Sequence, residues 1–309
     1  MNYKERLTFY LGTDKDKPHV DMNKYSIRDL TVNVNTHDTV YDVPLGKLLV
    51  KTKNTDKRFS FARGDVISQD EQNNWTLSKN RCEGNTTSVL LRSFNIVRHW
   101  ANYYNKPPDI PFQYKKNIVF WRGTTTGSSS HRTSLCRGAA DHKTSWGPRT
   151  VNRFTMIEKW FNKTPEIDVG FSFIHKDWLK PNYQKYVKGF CNIQDFLRYK
   201  YILSIEGNDK DSGLNWKLNS NSVVLMARPR VTSWLMETTL VPNKHYILLK
   251  DDFSDLHERL QWCNNNQDKC IEIVKNANEF MNQFSNDANE QKLEIEVLNK
   301  YFELKSNLE

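Results

Sequence analysis

The stretch that decides the fold is residues 199–226, YKYILSIEGNDKDSGLNWKLNSNSVVLM. Residues 201–205 form a short apolar, β-prone run, which predicts a buried strand. Glycine, asparagine and aspartate dominate residues 206–211 and predict a turn. Ser212 can cap a short helix, and residues 222–226 predict a second buried strand. Parallel α/β sheets bind anions at such turns, because free backbone N–H groups and a helix N-terminus lie there. An ordinary crossover without a ligand has the same pattern.

Predicted strands alternate with predicted helices over most of the chain. The strands are 30–35, 48–50, 59–61, 118–121, 167–171 and 245–249, and the helices are 88–104, 153–161, 195–199, 234–240, 256–263, 271–284 and 293–304. The intervening residues 36–44, 64–86 and 128–150 predict turns and loops. The alternation predicts an α/β architecture with parallel sheets. A proline-rich connector at residues 106–111 suggests a domain boundary near residue 114.

Composition narrows the class of protein. A chain of 309 residues suggests two domains, and its net charge of +9 suits a polyanionic partner such as nucleic acid, an anionic membrane or a phosphorylated substrate. The basic residues are scattered, which also fits a solvated surface. The five cysteines form no CxxC pair, which argues against a disulfide framework or a zinc site. Without a membrane-spanning or signal-like apolar run, the chain is expected to be cytoplasmic.

Several motifs occur in a characteristic order. They are FWRGT at residues 120–124 with Gly127, Arg153 before a helix, Asp168, the 199–226 stretch, and the pattern P…HYI…D…SDL within residues 242–256. This ordered set resembles glycosyltransferase family 90, the CAP10-like enzymes and protein O-glucosyltransferases, and most of all its short microbial members. The resemblance implies a GT-B fold, in which two Rossmann-like domains face each other across a cleft. It also implies a UDP-glucose or UDP-xylose donor, inversion at the anomeric carbon, and no required metal or other cofactor.

The resemblance also suggests which part of the chain forms each domain. Residues 1–114 would form the acceptor-side domain, residues 115–285 the nucleotide-sugar domain, and residues 286–309 a C-terminal helix that packs back on the first domain. The expected acceptor is a glycan or glycolipid of a capsule, a lipopolysaccharide or a glycoprotein. The basic surface would then hold the protein peripherally at an anionic membrane.

An inverting transfer needs a base that takes the proton of the acceptor hydroxyl. The family uses an aspartate just past an early strand, which points to Asp38. Asp42 resembles the family's Asp-x-Pro and is the second candidate. Either residue could instead be a turn aspartate that accepts local backbone hydrogen bonds. His37 is a candidate for orienting the acceptor.

The diphosphate leaving group needs positive charge or N–H groups. Arg153 matches the family's arginine at a helix start, and its bidentate guanidinium suits a diphosphate. Arg132 is a second clamp or a decoy. The rest of the predicted UDP-sugar site is Arg122, Gly123, Thr124, Gly127, Glu206, Asn208, Ser212 and Lys217, with Asp168 and His245 in support. Two roles stay open at this point: Arg122 as an ion-pair partner in the core, and His245 with Tyr246 as packing residues.

Three other functions fit parts of the pattern. Asp209 and Asp211 resemble the DxD motif of metal-dependent GT-A transferases. The positive charge would suit a nucleic-acid-binding module, but no RNP, KH or helix-turn-helix pattern is present, so no nucleic-acid partner is expected. A catalytically inactive, carbohydrate-binding relic would bind UDP without turnover.

Overall fold

The computed structural model of the chain describes residues 1–12, 24–30, 39–64, 75–82, 87–94, 96–126 and 153–306. These residues form a mixed α/β protein with parallel sheets. The strands are β1 (Ser60–Phe61), β2 (Thr76–Ser78), β3 (Asn80–Cys82), β4 (Val89–Leu90), β5 (Lys116–Gly123), β6 (Ile167–Phe171), β7 (Tyr199–Leu203), β8 (Val223–Met226), β9 (Val231–Ser233) and β10 (Ile247–Leu248).

The helices are α1 (Tyr3–Leu11), α2 (Thr39–Lys51), α3 (Ile96–His99), α4 (Ala101–Tyr104), α5 (Arg153–Trp160), α6 (Lys180–Tyr183), α7 (Ile193–Phe196), α8 (Leu214–Leu218), α9 (Leu256–Asn265), α10 (Gln267–Asn282) and α11 (Asp287–Ser306). Short 3-10 helices occur at Ile27–Asp29, Phe112–Tyr114, Asp177–Leu179, Gln184–Tyr186 and Glu237–Thr239.

The larger sheet has five parallel strands in the order β10-β8-β7-β5-β6. In chain order the first strand, β5, has the second, β6, on one side and the third, β7, on the other. The direction of winding therefore reverses between β5 and β7. Open α/β sheets bind ligands outside the carboxyl ends of the strands at such a switch point.

Side chains alternate across the strands of this sheet. Val119 and Trp121 of β5 face a core that includes Phe154 and Ile157 of α5. Phe120 points to the opposite face. Because helices cover both faces, the strands are apolar almost throughout, as the sequence predicts.

The smaller sheet has three parallel strands in the order β1-β2-β4. A separate antiparallel pair, β3 with β9, joins this part of the chain to the segment that follows β8. The core beside the smaller sheet takes residues from α1, α2 and, at the other end of the chain, α11.

Helix α11 contacts the N-terminal part of the chain through polar groups as well as apolar ones. Arg6 of α1 forms an ion pair with Glu290, with 2.6 Å between Nη2 and Oε2. The backbone N–H and the hydroxyl of Ser93 donate to Glu294 at 2.6 and 2.7 Å. The buried hydroxyl of Tyr301 accepts from the N–H of Ser60.

Several sequence predictions are confirmed. β6 has the predicted bounds, and β5, β7, β8 and β10 each overlap a predicted strand. The parallel α/β architecture is confirmed as well. The arrangement of two domains facing across a cleft stays a prediction. Within the described residues, no helix combines the length and the apolar composition needed to cross a membrane.

The predicted strand at 48–50 and the part of the predicted turn that covers residues 39–44 are wrong, because residues 39–51 form α2. Tyr41, Leu45, Leu48 and Leu49 are buried along one face of this helix, at a spacing typical of an amphipathic helix. Pro44 removes one backbone donor inside the helix, but the buried face keeps the segment helical.

Three other predictions need correction. The predicted loop at 64–86 contains β2 and β3, and the predicted helix at 88–104 begins instead with β4 and then divides into α3 and α4. The predicted helix at 234–240 is a short 3-10 turn, with Met236 in the left-handed region (φ 59°). Ser212 does not cap α8, whose N-cap is Gly213.

Candidate active site

The carboxyl ends of β5 and β7 flank the switch point of the larger sheet. Thr124, Thr125 and Thr126 follow β5, and residues 204–213 follow β7. Arg153, the first residue of α5, lies between these two segments. The site predicted from the sequence is therefore assembled in part from three separate stretches of chain.

The guanidinium of Arg153 joins the two strand ends. Its Nη1 donates to the carbonyl oxygen of Thr124 at 3.0 Å and to the hydroxyl of Thr126 at 2.6 Å. Its Nη2 donates to the carbonyl oxygen of Ile205 at 3.3 Å. The guanidinium is thus held in a fixed position, and its buried Nε–H has no hydrogen-bond partner within the part of the chain that the structure describes.

Among the described residues, Asp211 and Asp209 are the acidic groups that act on the charge of Arg153. Burial lowers the pKa of this guanidinium to about 10, while Asp211 and Asp209 act in the opposite direction and Arg98 adds to the decrease. At neutral pH the side chain remains protonated. A partly desolvated cation of this kind attracts an anion more strongly than an exposed one does.

Gly207 allows the guanidinium to approach the turn after β7. A Cβ atom built on Gly207 would lie 2.8 Å from Oγ1 of Thr126 and 2.9 Å from Nη2 of Arg153. No side chain fits there without displacing one of these groups. The glycine of the Glu-Gly-Asn turn therefore serves close packing against the arginine.

The rest of the 206–213 turn is fixed by polar contacts. One carboxylate oxygen of Glu206 accepts from the backbone N–H groups of Arg230 and Val231. Asp209 pairs with Lys79 at 2.6 Å and accepts from the side chain of Asn80. Asn208 and Ser212 are partly exposed on the same turn. These contacts hold the turn in place, while Asn208 and Ser212 keep part of their surface exposed.

Lys217 lies beneath the turn. Its ammonium donates to the carbonyl oxygen of Leu203 at 3.0 Å and pairs with Asp211 at 2.5 Å. Asp211 also accepts from Ser204 and from the N–H of Gly213. Burial lowers the pKa of Lys217, although Asp211 opposes the change. In this conformation Lys217 supports the end of β7 from inside.

Arg122 forms an ion pair on the other face of β5. Its Nη2 donates to Oδ1 of Asp168 at 2.8 Å, and Lys188 contacts the same oxygen at 2.8 Å. Burial raises the pKa of Asp168, but the hydrogen bonds from Lys188 and Arg122 outweigh it and the net pKa is lowered. Arg122 thus takes the ion-pair role that the sequence left open.

Gly123 and Thr124 occupy the end of β5. Gly123 is paired with Phe171 inside the sheet, where a Cβ would lie 2.5 Å from the ring of Trp121. Gly123 is therefore required by packing rather than by a turn. Thr124 follows the strand and contacts Arg153 through its carbonyl oxygen.

His245 lies away from the switch point. It precedes β10 and so lies at the amino-terminal ends of the strands, opposite their carboxyl ends. Its Nδ1 accepts from the N–H of Val241 at 2.9 Å. Its ring packs on Phe280, and burial lowers its pKa. Its neighbour Tyr246 is fully buried. The structure therefore does not bring His245 together with Arg153.

The two candidate bases differ in what the structure shows. Asp42 is buried in α2 and forms a bidentate ion pair with Arg63, at 2.7 and 2.9 Å. Asp38 lies outside the described residues, as do His37, Gly127 and Arg132. The assignment of the base therefore stays a prediction.

Sequence reasoning missed the hydroxyls of Thr125 and Thr126. Thr126 contacts Arg153, and Thr125 accepts from the backbone N–H of His175 at 2.8 Å. Three consecutive threonines directly after a buried strand were the available signal. Lys79, which pairs with Asp209 from the N-terminal part of the chain, had no such signal.

Comparisons with known proteins bear on the family of this chain. The model of Glycosyl transferase family 90 matches residues 93–307. The chain belongs to this family. The O-glucosyltransferase LpsA of Dichelobacter nodosus is 33% identical over 259 residues, which cover 84% of this family 90 chain and 71% of the relative. Protein O-glucosyltransferase 2 of Danio rerio is 29% identical over 110 residues, or 36% of this chain and 21% of the relative. Family membership makes the chain a glycosyltransferase with a sugar donor and a glycan acceptor.

Proposed function

We propose that this glycosyltransferase moves glucose from UDP-glucose to a hydroxyl group of a glycan acceptor, with inversion at the anomeric carbon. The observation that carries the proposal is the guanidinium of Arg153, which joins the carboxyl ends of β5 and β7 at the switch point. Both relatives described above are O-glucosyltransferases by name, which favours glucose over xylose as the transferred sugar. A GT-B arrangement and a cytoplasmic location, with a capsule, lipopolysaccharide or glycoprotein glycan as acceptor, are parts of the same proposal.

Arg153 would stabilise the UDP leaving group. As the bond from C1 to the diphosphate breaks, negative charge grows on the diphosphate oxygens, and a fixed cation lowers the energy of that transition state. Thr124, Thr126 and Ile205 hold the guanidinium by accepting from its two terminal nitrogens. The enzyme therefore spends little energy on reorganising this group during the reaction.

Asp38 is the preferred base in this proposal. A general base must reach the acceptor hydroxyl and accept its proton. The carboxylate of Asp42 is buried, and each of its two oxygens accepts a hydrogen bond from Arg63. Asp42 is better suited to joining α2 to Arg63 than to reaching an acceptor hydroxyl.

The alternative with a metal bound to Asp209 and Asp211 is less well supported. Each carboxylate already receives a lysine ammonium, from Lys79 and Lys217 respectively. A divalent cation at this turn would have to displace both lysines, and each would then be left buried without its counter-charge. These ion pairs favour a leaving group stabilised by Arg153.

A donor-hydrolysis assay tests the proposal. UDP release is measured from UDP-glucose, UDP-xylose and UDP-galactose, with and without EDTA, for the natural protein, Arg153→Lys and Asp38→Asn. Arg198→Gln is the matched control, because Arg198 is exposed. We expect release from UDP-glucose in EDTA, with a loss of about a hundredfold or more in Arg153→Lys. Release abolished by EDTA, or unchanged in Arg153→Lys, would contradict the proposal.

A further inference from the structure

Residues 172–190, which follow β6, carry three exposed aromatic side chains. Phe173 and Trp178 are each 50% exposed, and Phe190 is 81% exposed. Large apolar side chains grouped on a surface mark sites of interaction with proteins or membranes. We call this segment, with its exposed side chains, the aromatic face.

The aromatic face is not a poorly packed piece of core. Leu179 and Tyr183 of the same segment are buried, and the hydroxyl of Tyr183 donates to Glu158 at 2.7 Å. Tyr183 also packs on Phe154. The inward positions are therefore filled, and the exposed rings are additional to the contacts that hold the segment in place.

Backbone contacts bring the two ends of the segment together. Val187 forms a parallel bridge with Phe171, and the N–H of Lys188 donates to the carbonyl oxygen of Phe171 at 2.9 Å. The chain leading to Phe190 therefore runs beside the chain leading to Phe173. Phe173 and Phe190 therefore both follow residues that are paired at the carboxyl end of β6.

The charges around these rings have one predominant sign. The segment contains four exposed lysines, Lys176, Lys180, Lys185 and Lys188, against one acidic residue, Asp177. Interfaces with folded proteins are depleted in lysine, whereas aromatic rings interleaved with lysines are typical of contacts with anionic bilayers. The rings would enter the interfacial region while the ammonium groups contact lipid phosphates.

We propose that the aromatic face docks on the surface of an anionic phospholipid bilayer. The hydrogen bond from the N–H of His175 to Thr125 places this segment directly beside the switch point. Docking there would hold the candidate active site close to the membrane surface, where a lipid-linked acceptor is concentrated. The inference concerns binding alone and holds whether or not the donor is UDP-glucose.

Vesicle co-sedimentation tests this proposal without any sugar donor. The natural protein is mixed with phosphatidylcholine vesicles that contain or lack phosphatidylglycerol. The variant Phe173→Ser/Trp178→Ser/Phe190→Ser is compared with Tyr114→Ser. Tyr114 is 75% exposed and precedes β5, at the amino-terminal end of that strand. We expect binding only to the anionic vesicles, weakened about tenfold or more by the triple substitution and unchanged by Tyr114→Ser.

A second pair of variants tests the charges. Lys176→Gln/Lys180→Gln/Lys185→Gln should weaken binding about as strongly, whereas Lys269→Gln/Lys275→Gln on α10 should not. Lys188 is left intact because it holds Asp168. Absence of vesicle binding by the natural protein, or equal losses in test and control variants, would overturn the proposal. UDP release measured in parallel keeps this result separate from the fate of the proposed activity.

Discussion

The guanidinium of Arg153 lies so close to Gly207 that a Cβ on this glycine would be 2.9 Å from Nη2. Gly207→Ala should therefore displace the guanidinium from the switch point. We expect the affinity for UDP to fall about tenfold or more, because one charge-assisted contact to the diphosphate is weakened. Isothermal titration with UDP measures the effect.

Gly46→Ala provides the matched control. Gly46 lies inside α2, and a Cβ there would meet only Leu30, at an ordinary contact distance of 3.6 Å. Alanine is the better helix former, so this variant should gain about 0.5–1 kcal/mol of stability and keep its affinity for UDP. Equal affinities in both variants would show that Gly207 has no role in positioning Arg153.

Lys217 should be important for stability rather than for direct contact with phosphate. Lys217→Met leaves Asp211 buried without its ammonium partner and should cost about 3–5 kcal/mol in the free energy of unfolding. Adding Asp211→Leu removes the unpaired charge and should restore part of that loss. Urea titration of the single and double variants measures both effects.

A different outcome would show that Lys217 contacts the ligand directly. If Lys217→Met unfolds at the same urea concentration as the natural protein but binds UDP far more weakly, then the lysine turns toward the ligand when UDP binds. Lys217 would then belong to the UDP-sugar site, as the sequence predicts.

The ion pair between Arg6 and Glu290 should join the two ends of the chain energetically. Both side chains are buried, and Nε1 of Trp234 also donates to Glu290, at 2.6 Å. Arg6→Met should cost about 3–5 kcal/mol, because it leaves a buried carboxylate without its counter-charge. Tyr3→Phe, which removes an exposed hydrogen bond to Glu296, should cost less than about 1 kcal/mol. Similar losses in the two variants would contradict this ranking.

His99 should make the protein sensitive to acid. Neither ring nitrogen has a hydrogen-bond partner among the described residues, and burial, with Lys210, Lys79 and Arg98 nearby, lowers its pKa well below the ordinary value. Between that lowered pKa and about 6.5, the unfolded chain binds a proton that the folded chain does not. The free energy of unfolding therefore decreases as the pH is lowered through this window, by up to about 1.4 kcal/mol per pH unit.

His99→Leu should remove this part of the pH dependence. We expect the loss of stability between neutral pH and pH of about 5 to be smaller in His99→Leu, with little or no cost at neutral pH. The exposed residue His175, changed to Gln, serves as control. Thermal unfolding at a series of pH values provides the comparison, and parallel curves for His99→Leu and the natural protein would refute the assignment.

The sequence predicts the larger sheet better than the smaller one. β6 alternates apolar residues between Glu166 and Ser172, and β8 is a continuous apolar run that follows Ser222, so their bounds follow closely from composition. β2 and β3 contain only three residues each and several polar side chains, and their strand conformation depends on partners distant in sequence. Val89 and Leu90 fit the apolar stripe of a helix equally well, and pairing with β2 decides between the two.

The candidate site, too, can be predicted from the sequence only in part. Arg153 stands out in the sequence because a basic residue at a helix start opposes the helix dipole. The partner of Arg122 cannot be predicted in this way, since it is set by which strands become neighbours. The β5–β6 pairing places Asp168 beside Arg122.

The packing of α11 against the smaller sheet has a consequence for the order of synthesis. Val297 and Tyr301 share a core with Leu49 and Leu77, yet more than two hundred residues separate the two groups in the chain. At ordinary rates of translation, about ten seconds or more pass between their emergence from the ribosome. During that interval the apolar faces of the N-terminal strands stay uncovered. In the cell, this part of the protein would therefore depend on chaperones until α11 is synthesised.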